Sequence, residues 1–249
     1  MEGIPRVPMF SLELLTPEKP LSAAFEENMR EYIVINYQDD PSKYNRAFQE
    51  LETMRNVLMQ NVANVETICI MKRYFAQLSM VKARFPMEDN DPLATQFSWV
   101  DRAFDMSSAV VYNDVNFELC CVLYNIGAAH AIIAAGETRS DPDSIKNAFM
   151  HFQYASWPMK HLRDEMRAAN YNGMCFAEPF ITFYMDMFLA QAQECILEKS
   201  MIDGRKPLVI AKVAAQLKKF YDANLEKLNV LATELTSIGR YKAGLIRIF

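Results

Sequence analysis

With 249 residues, 51% of them hydrophobic, and only 7 glycines and 11 prolines, the chain can bury a sizeable core and is neither collagen-like nor low-complexity. Its 26 basic and 31 acidic residues leave a formal charge of −5, so there is no global positive field to hold nucleic acid or an anionic membrane, and any such partner needs a local patch.

Cys69, Cys120, Cys121, Cys175 and Cys195 form an odd set without Cys-x-x-Cys spacing, each among apolar or helix-forming neighbours. They read as buried free thiols in a reducing compartment. The opening Met-Glu-Gly-Ile-Pro shows no basic segment leading into an apolar run, and no Asn-x-Ser/Thr sequon occurs. The expectation is a cytoplasmic protein.

In chain order, Pro8 to Leu14 alternates Phe10, Leu12 and Leu14 with Met9, Ser11 and Glu13, the period-two pattern of a half-buried strand that Pro17 and Pro20 end. Helical spacing follows from Ser22 to Tyr37, then from a Ser42 cap to Met59, then from Val65 to Phe85. Between Phe85 and Phe117 the pattern changes to Pro, Asp and Asn clusters around two extended pieces, Thr95 to Val100 and Ala109 to Tyr112, which with the first strand predict one small sheet. Phe117 to Ala135 is apolar on nearly every side. Its Glu118, Asn125 and His130, and its length at the lower limit for a bilayer, favour a buried central helix over a membrane span. Gly127, Ala128 and Ala129 then mark close packing between helices. A helix over Asp143 to Trp157 pairs with it like one tetratricopeptide-like hairpin, and three further helical segments follow: Met159 to Tyr171, Phe180 to Met201 and Pro207 to Ser237, the last with a break near Asn229. No Pro/Gly/Ser linker divides the chain, which reads as one elongated, mainly α domain.

No catalytic constellation stands out. His130, His151 and His161 lack metal-ligand spacing and read as structural. No cysteine precedes an arginine by six positions, as a tyrosine-phosphatase loop requires, and Leu245 stands where a phosphate loop opened by Gly239 would need lysine. The adjacent pairs Glu26 with Glu27 and Asp39 with Asp40 read as solvated faces, and Met185 and Met187 as core fillers. A binding module is favoured over an enzyme.

Gln191 to Tyr221 is more informative. Between Lys199 and Lys219 it holds Lys199, Arg205, Lys206, Lys212, Lys218 and Lys219 against Asp203 alone. Gly204 and Pro207 separate two helices. With residues turned at about 100° each, Val209, Phe220, Val213, Leu217, Ile210, Tyr221 and Ala214 cover an arc of about 140°, wider than one neighbouring helix needs. Its centre should face the core, leaving Val209 and Val213 at an edge bordered by Lys212, Gln216 and Lys219. The preceding helix adds Ile196 and Lys199. A shallow apolar groove with a basic rim suits an amphipathic helix with acidic flanks. On pattern alone the plainer reading, that both valines are core residues beneath another helix, is favoured.

At these residues the chain resembles the Bro-one (BRO) domain family, found at the N-terminus of ALIX and of the His-domain protein tyrosine phosphatase. The resemblance is carried by AQAQECILEKSMIDGRK at Ala190 to Lys206, nearest the phosphatase branch, and by FSWVDRAFD at Phe97 to Asp105, FELCCVLYNIGAAHA at Phe117 to Ala131, KNAFMHFQYAS at Lys146 to Ser156 and the opening PRVPMFSLEL. These colinear matches cover nearly the whole chain. The resemblance implies a boomerang-shaped helical domain with a tetratricopeptide-like core and a small N-terminal antiparallel sheet. It further implies a non-catalytic adaptor in endosomal and multivesicular-body sorting, cytoplasmic and recruited to endosomes. The implied partner is the C-terminal amphipathic helix of an ESCRT-III filament subunit of the charged multivesicular body protein 4 type. The positions that match the family's contacts are Ile196, Val209 and Val213, with the basic Lys199, Lys206 and Lys212 beside them and Lys146 as an outlying addition. Relatives often carry larger residues where Val209 and Val213 stand, and each missing buried methylene removes roughly 0.8 kcal/mol. No cofactor, metal, nucleic acid or small-molecule substrate is implied, and phosphatase activity does not carry over. The alternative is a peripheral membrane-surface or other peptide-binding scaffold. Family members continue with further helices, so 1–249 reads as a single BRO domain without its last helices, with apolar surface exposed near GLIRIF.

Overall fold

A computed structural model describes residues 8–103, 109–172 and 174–238, with side-chain surroundings through 231 except at Met174. The expected apolar surface at GLIRIF, and parts of the PRVPMFSLEL and FSWVDRAFD stretches, lie outside the described residues. The fold is mainly helical with a small antiparallel sheet. In order the elements are β1 (Thr16–Pro17), α1 (Ala23–Tyr32), α2 (Asn45–Leu58), α3 (Val65–Lys82), β2 (Phe97–Val100), β3 (Ala109–Tyr112), α4 (Val115–Gly136), α5 (Pro142–Asp164), α6 (Glu178–Ile202) and α7 (Pro207–Ile238). Each helix from α2 to α7 packs against the next in sequence.

Short polar side chains start the helices by accepting the first free backbone N–H groups. Ser22 accepts from Phe25, Asn64 from Thr67, and Asp114 from Asn116. Asp141 forms a full capping box with Ser144. The expected cap at Ser42 is instead Asp40, whose carboxylate accepts from the Ser42 N–H and starts a 3-10 turn, Pro41–Tyr44, ahead of α2. The helix expected to reach Tyr37 does so with a change of winding: α1 gives way to a π-helical turn over Ile33–Tyr37, closed by Gln38 in the left-handed region.

Strand order is β1-β2-β3, with Thr16 opposite Val100 and Phe97 opposite Tyr112. The segment from Pro8 to Leu14 is not a strand. Its alternation is real, since Leu12 and Leu14 are buried and Glu13 exposed. Its backbone partners, however, are side-chain amides. Gln191 of α6 accepts from the Phe10 N–H at 2.6 Å and donates to the Phe10 carbonyl at 3.0 Å. Asn125 of α4 does the same at Leu15, with both bonds at 2.8 Å. Each amide stands in for one residue of a neighbouring strand.

The core centres on α4, buried along most of its length. A Cβ on Gly127 would stand 3.1 Å from the Ala155 carbonyl and 3.3 Å from the Pro158 Cβ, so the missing side chain lets α5 approach. A further departure from expectation lies at this contact. Two helices were expected either side of Pro158, yet α5 runs through it to Asp164, with Pro158 buried inside the helix. α7 likewise shows no break at Asn229.

Beside α4 lies a closed polar centre. Arg55 Nε stands 2.6 Å from Glu118 Oε1, both side chains almost fully buried. Tyr74 donates to Glu118 Oε1 at 3.0 Å and the Trp99 indole N–H to Oε2 at 2.5 Å. The Arg55 guanidinium also lies 4.9 Å over the Trp99 ring. One carboxylate thereby ties together α2, α3, α4 and β2. Burial and the Glu118 charge push the Tyr74 hydroxyl well above its usual range.

Candidate functional site

Helix α6 ends in a Schellman motif. The Arg205 N–H bonds the Ser200 carbonyl at 3.0 Å and the Gly204 N–H bonds the Met201 carbonyl at 3.1 Å, with Gly204 at φ +63°. Pro207 then opens α7, whose first carbonyl acceptor is Lys206. The turn lays α7 back along α6. Tyr221 donates to Glu194, and Lys227 pairs with Asp186 further along. At that register Val213 stands beside the last turn of α6.

The arc of α7 is covered at its centre and open at its edge. Leu217 is buried, Ile210 and Val213 are half-buried, and Val209 is 44% exposed. Across the groove Ile196 is 38% exposed. Among the described residues neither valine is sealed beneath another helix. Phe220, 39% exposed, extends the same edge, and its place in the arc beside Val213 was the signal for it. Lys206 and Lys212 are exposed, while Lys199 binds both carboxylate oxygens of Asp203 at 3.1 Å. Lys146 is exposed on α5. Ser156 Oγ donates to the Met185 carbonyl at 3.3 Å and Arg163 reaches Thr182 Oγ1 at 3.5 Å, so α5 runs antiparallel to α6 and Lys146 falls near the level of Ile196.

Beneath this face a buried network holds α6 in place. Arg139, from the α4–α5 connection, pairs with Glu198 at 3.0 Å and reaches Glu194 at 4.0 Å. Burial and the Glu194 bond push the Tyr221 hydroxyl far up, and burial beside Glu198 pushes the Cys195 thiol up to about 12. Cys120, Cys121 and Cys175 are likewise buried, but Cys69 is exposed, contrary to expectation. It lies one position round α3 from Ile68, on the solvent side of the buried Ile68, Met71 and Leu78 stripe.

Polar groups and open space also gather away from this face. Lys72 Nζ lies 3.2 Å from His130 Nε2, and His130 Nδ1 lies 3.1 Å from His151 Nδ1. Burial, then the Lys72 charge, lowers the His130 pKa to about 3, and His151 is lowered too. A cleft of about 660 Å³ between α1, α2 and α3 is lined chiefly by apolar side chains such as Ile33, Phe48 and Phe85. None of the sequence-predicted site residues lines it. Among the described residues no three His, Cys, Asp or Glu side chains are grouped to hold a metal ion.

Successive antiparallel helices with a small sheet beside them, presenting an open apolar strip among lysines, define a helical repeat-like scaffold. Residues 9–243 match the BRO1-like domain, and the chain belongs to that family. It is 30% identical over 221 residues to human tyrosine-protein phosphatase non-receptor type 23, covering 89% of this chain and 13% of that protein. It is 30% identical over 183 residues to ALG-2 interacting protein X of Dictyostelium discoideum, covering 72% and 22%. The vacuolar protein-sorting protein BRO1 of Gibberella zeae matches at 29% over 212 residues, covering 83% and 21%. The chain thus spans under a quarter of the length of these relatives. Among solved structures, the ALIX BRO1 CHMP4C complex superposes with a TM-score of 0.81 at 23% identity, over 90% of this chain and 65% of that one.

Proposed function

We propose that this chain is a non-catalytic adaptor domain that docks the acidic C-terminal amphipathic helix of an ESCRT-III filament subunit, of the charged multivesicular body protein 4 type, during endosomal sorting. The observation that carries the reading is the open edge of α7. Val209 is exposed and Val213 half-buried where α7 leaves the end of α6 that carries the exposed Ile196, in a protein of net charge −5 whose adjoining rim carries Lys199, Lys206 and Lys212. Family membership supports it, as does the solved ALIX BRO1 domain whose partner is CHMP4C. Lys146, level with Ile196, lies where an acidic side chain of the docked helix would pass. The phosphatase activity named in the human relative belongs to a protein of which this chain covers 13%, and the adaptor reading takes nothing from it.

Val213→Asp places a charge in the groove. It should weaken binding of the subunit helix by at least about 30-fold, the loss expected at a central contact, with cooperative unfolding retained. Unchanged affinity in a calorimetric titration sinks the reading. The competing reading, a membrane-surface module, predicts instead cosedimentation with anionic vesicles that falls steeply with salt.

A further inference from the structure

The exposed face continues past Ile196. On α6, Leu189 precedes Ile196 by seven residues, on the same side of the helix, and is 44% exposed. On α5, Lys146, Met150, Gln153 and Trp157 follow spacings of four, three and four, so they share one face. Trp157, 59% exposed, is the most exposed aromatic side chain among the described residues. Its indole stacks offset and nearly parallel to the His161 ring, centroids 5.2 Å apart and planes at 11°.

The register between the helices places these residues. Ser156 bonds the Met185 carbonyl and Arg163 reaches Thr182 Oγ1 at 3.5 Å, so Trp157 stands opposite Met185 and Asp186, one turn beyond Leu189. The exposed stripe of each helix is turned by about 100° from their shared contact, in senses that antiparallel neighbours reverse, so both stripes open on the same side. From Ile196 to the level of Trp157 is about 16 Å along α6.

Charge selects the occupant. Three carboxylates on this face are held, Asp164 by Arg163, Asp186 by Lys227 and Asp203 by Lys199, and one, the exposed Asp143 a turn before Lys146, forms no ion pair among the described residues. Lys146, Lys206 and Lys212 form no ion pair among the described residues. Lys146, Lys206 and Lys212 against Asp143 leave the unpaired charge on this face net positive, which suits an acidic chain rather than a second copy of this net-negative protein.

We propose that Leu189 and Trp157 form a second anchor, engaged by an apolar residue about eleven positions along the same acidic helix from the one seated at Ile196. This rests on the adaptor reading, because it takes the same partner helix, and it adds a length requirement. The chain has 2 tryptophans, and Trp99 is buried, so Trp157 is a built-in reporter. The probes are two peptides of the subunit's C-terminal helix: one long enough only for the α6–α7 groove, and one extended by about twelve residues at each end. The extended peptide should shift Trp157 emission to the blue and bind about tenfold tighter than the short one. Trp157→Ala should remove that gain and leave short-peptide affinity within about twofold. Emission unchanged at saturation, or a gain that survives Trp157→Ala, overturns the second anchor while leaving the groove reading intact. Failure of both peptides to bind overturns both. A dimer in sedimentation that Trp157→Ala dissolves would assign the face to a second copy and overturn the anchor.

Discussion

Helices α4 and α7 are both rich in apolar residues, yet one is covered on nearly every side and the other on about half. α4 has α3, α5 and β2 against it. Its polar residues turn inward to partners: Glu118 to Arg55, Asn125 to Leu15, His130 to His151. α7 rests on α6, and its apolar arc is wider than that contact. What separates core from surface is therefore the width of the apolar stripe measured against the number of neighbours, and not the apolar content of the helix.

The sharpest way to break the buried side of this contrast is Glu118→Ala. Arg55 would be left charged and unpaired in a closed space, with the Tyr74 hydroxyl and Trp99 N–H also stranded. A loss of about 3–5 kcal/mol is expected in urea denaturation; less than about 1 kcal/mol would mean that the centre is open to water. A more moderate effect comes from acid. The His130 pKa falls from 6.5 to about 3 in the folded protein, so between those values the unfolded chain binds more protons. Stability contributed by the pair is present above pH 6.5 and is lost as pH falls through that window. Thermal unfolding followed from pH 7.5 to 5 should show a shallower slope for His130→Gln, and an unaltered slope would discount the pair.

On the open side the effects shrink. Gly204→Ala forces a side chain into φ +63° with open space around it, and should cost about 1 kcal/mol in thermal denaturation. Val209→Asp should change stability by less than about 0.5 kcal/mol, because the position is half exposed and the first turn of a helix favours an acid. A loss above about 2 kcal/mol there would place Val209 in the core and erase the contrast with α4.

Most helix positions, the two later strands and the buried run of α4 were legible because each writes a period into local sequence, whereas for Val209 and Val213 the pattern favoured a covered core position and the openness of the α7 edge came from the structure. The departures come from partners distant in sequence. Arg55 sits among α2 residues that say nothing of Glu118, 63 positions on. The alternation of Phe10, Leu12 and Leu14 reports which side is buried but not that amides of α4 and α6 replace a strand neighbour. Pro158 reads as a helix boundary until Gly127 is seen against it. Of the candidate face, turning the helix placed Val209 and Val213 at the edge of the arc without deciding that the edge is open, and Trp157 required the register of α5 on α6.

The amide clasps on the N-terminal segment also order events in time. Phe10 leaves the ribosome early, but the side chain that fastens it lies 181 residues later, and the one that fastens Leu15 lies 110 later. At synthesis rates of about 5–20 residues per second, Gln191 follows Phe10 by roughly ten to forty seconds. Through that interval the Leu15 end can be fastened by Asn125 once α4 is made, while the Phe10 end has no seat until α6 follows. In pulsed hydrogen exchange on nascent chains, the amides of Phe10 and Leu15 should gain protection separately, Leu15 with the arrival of α4 and Phe10 with that of α6.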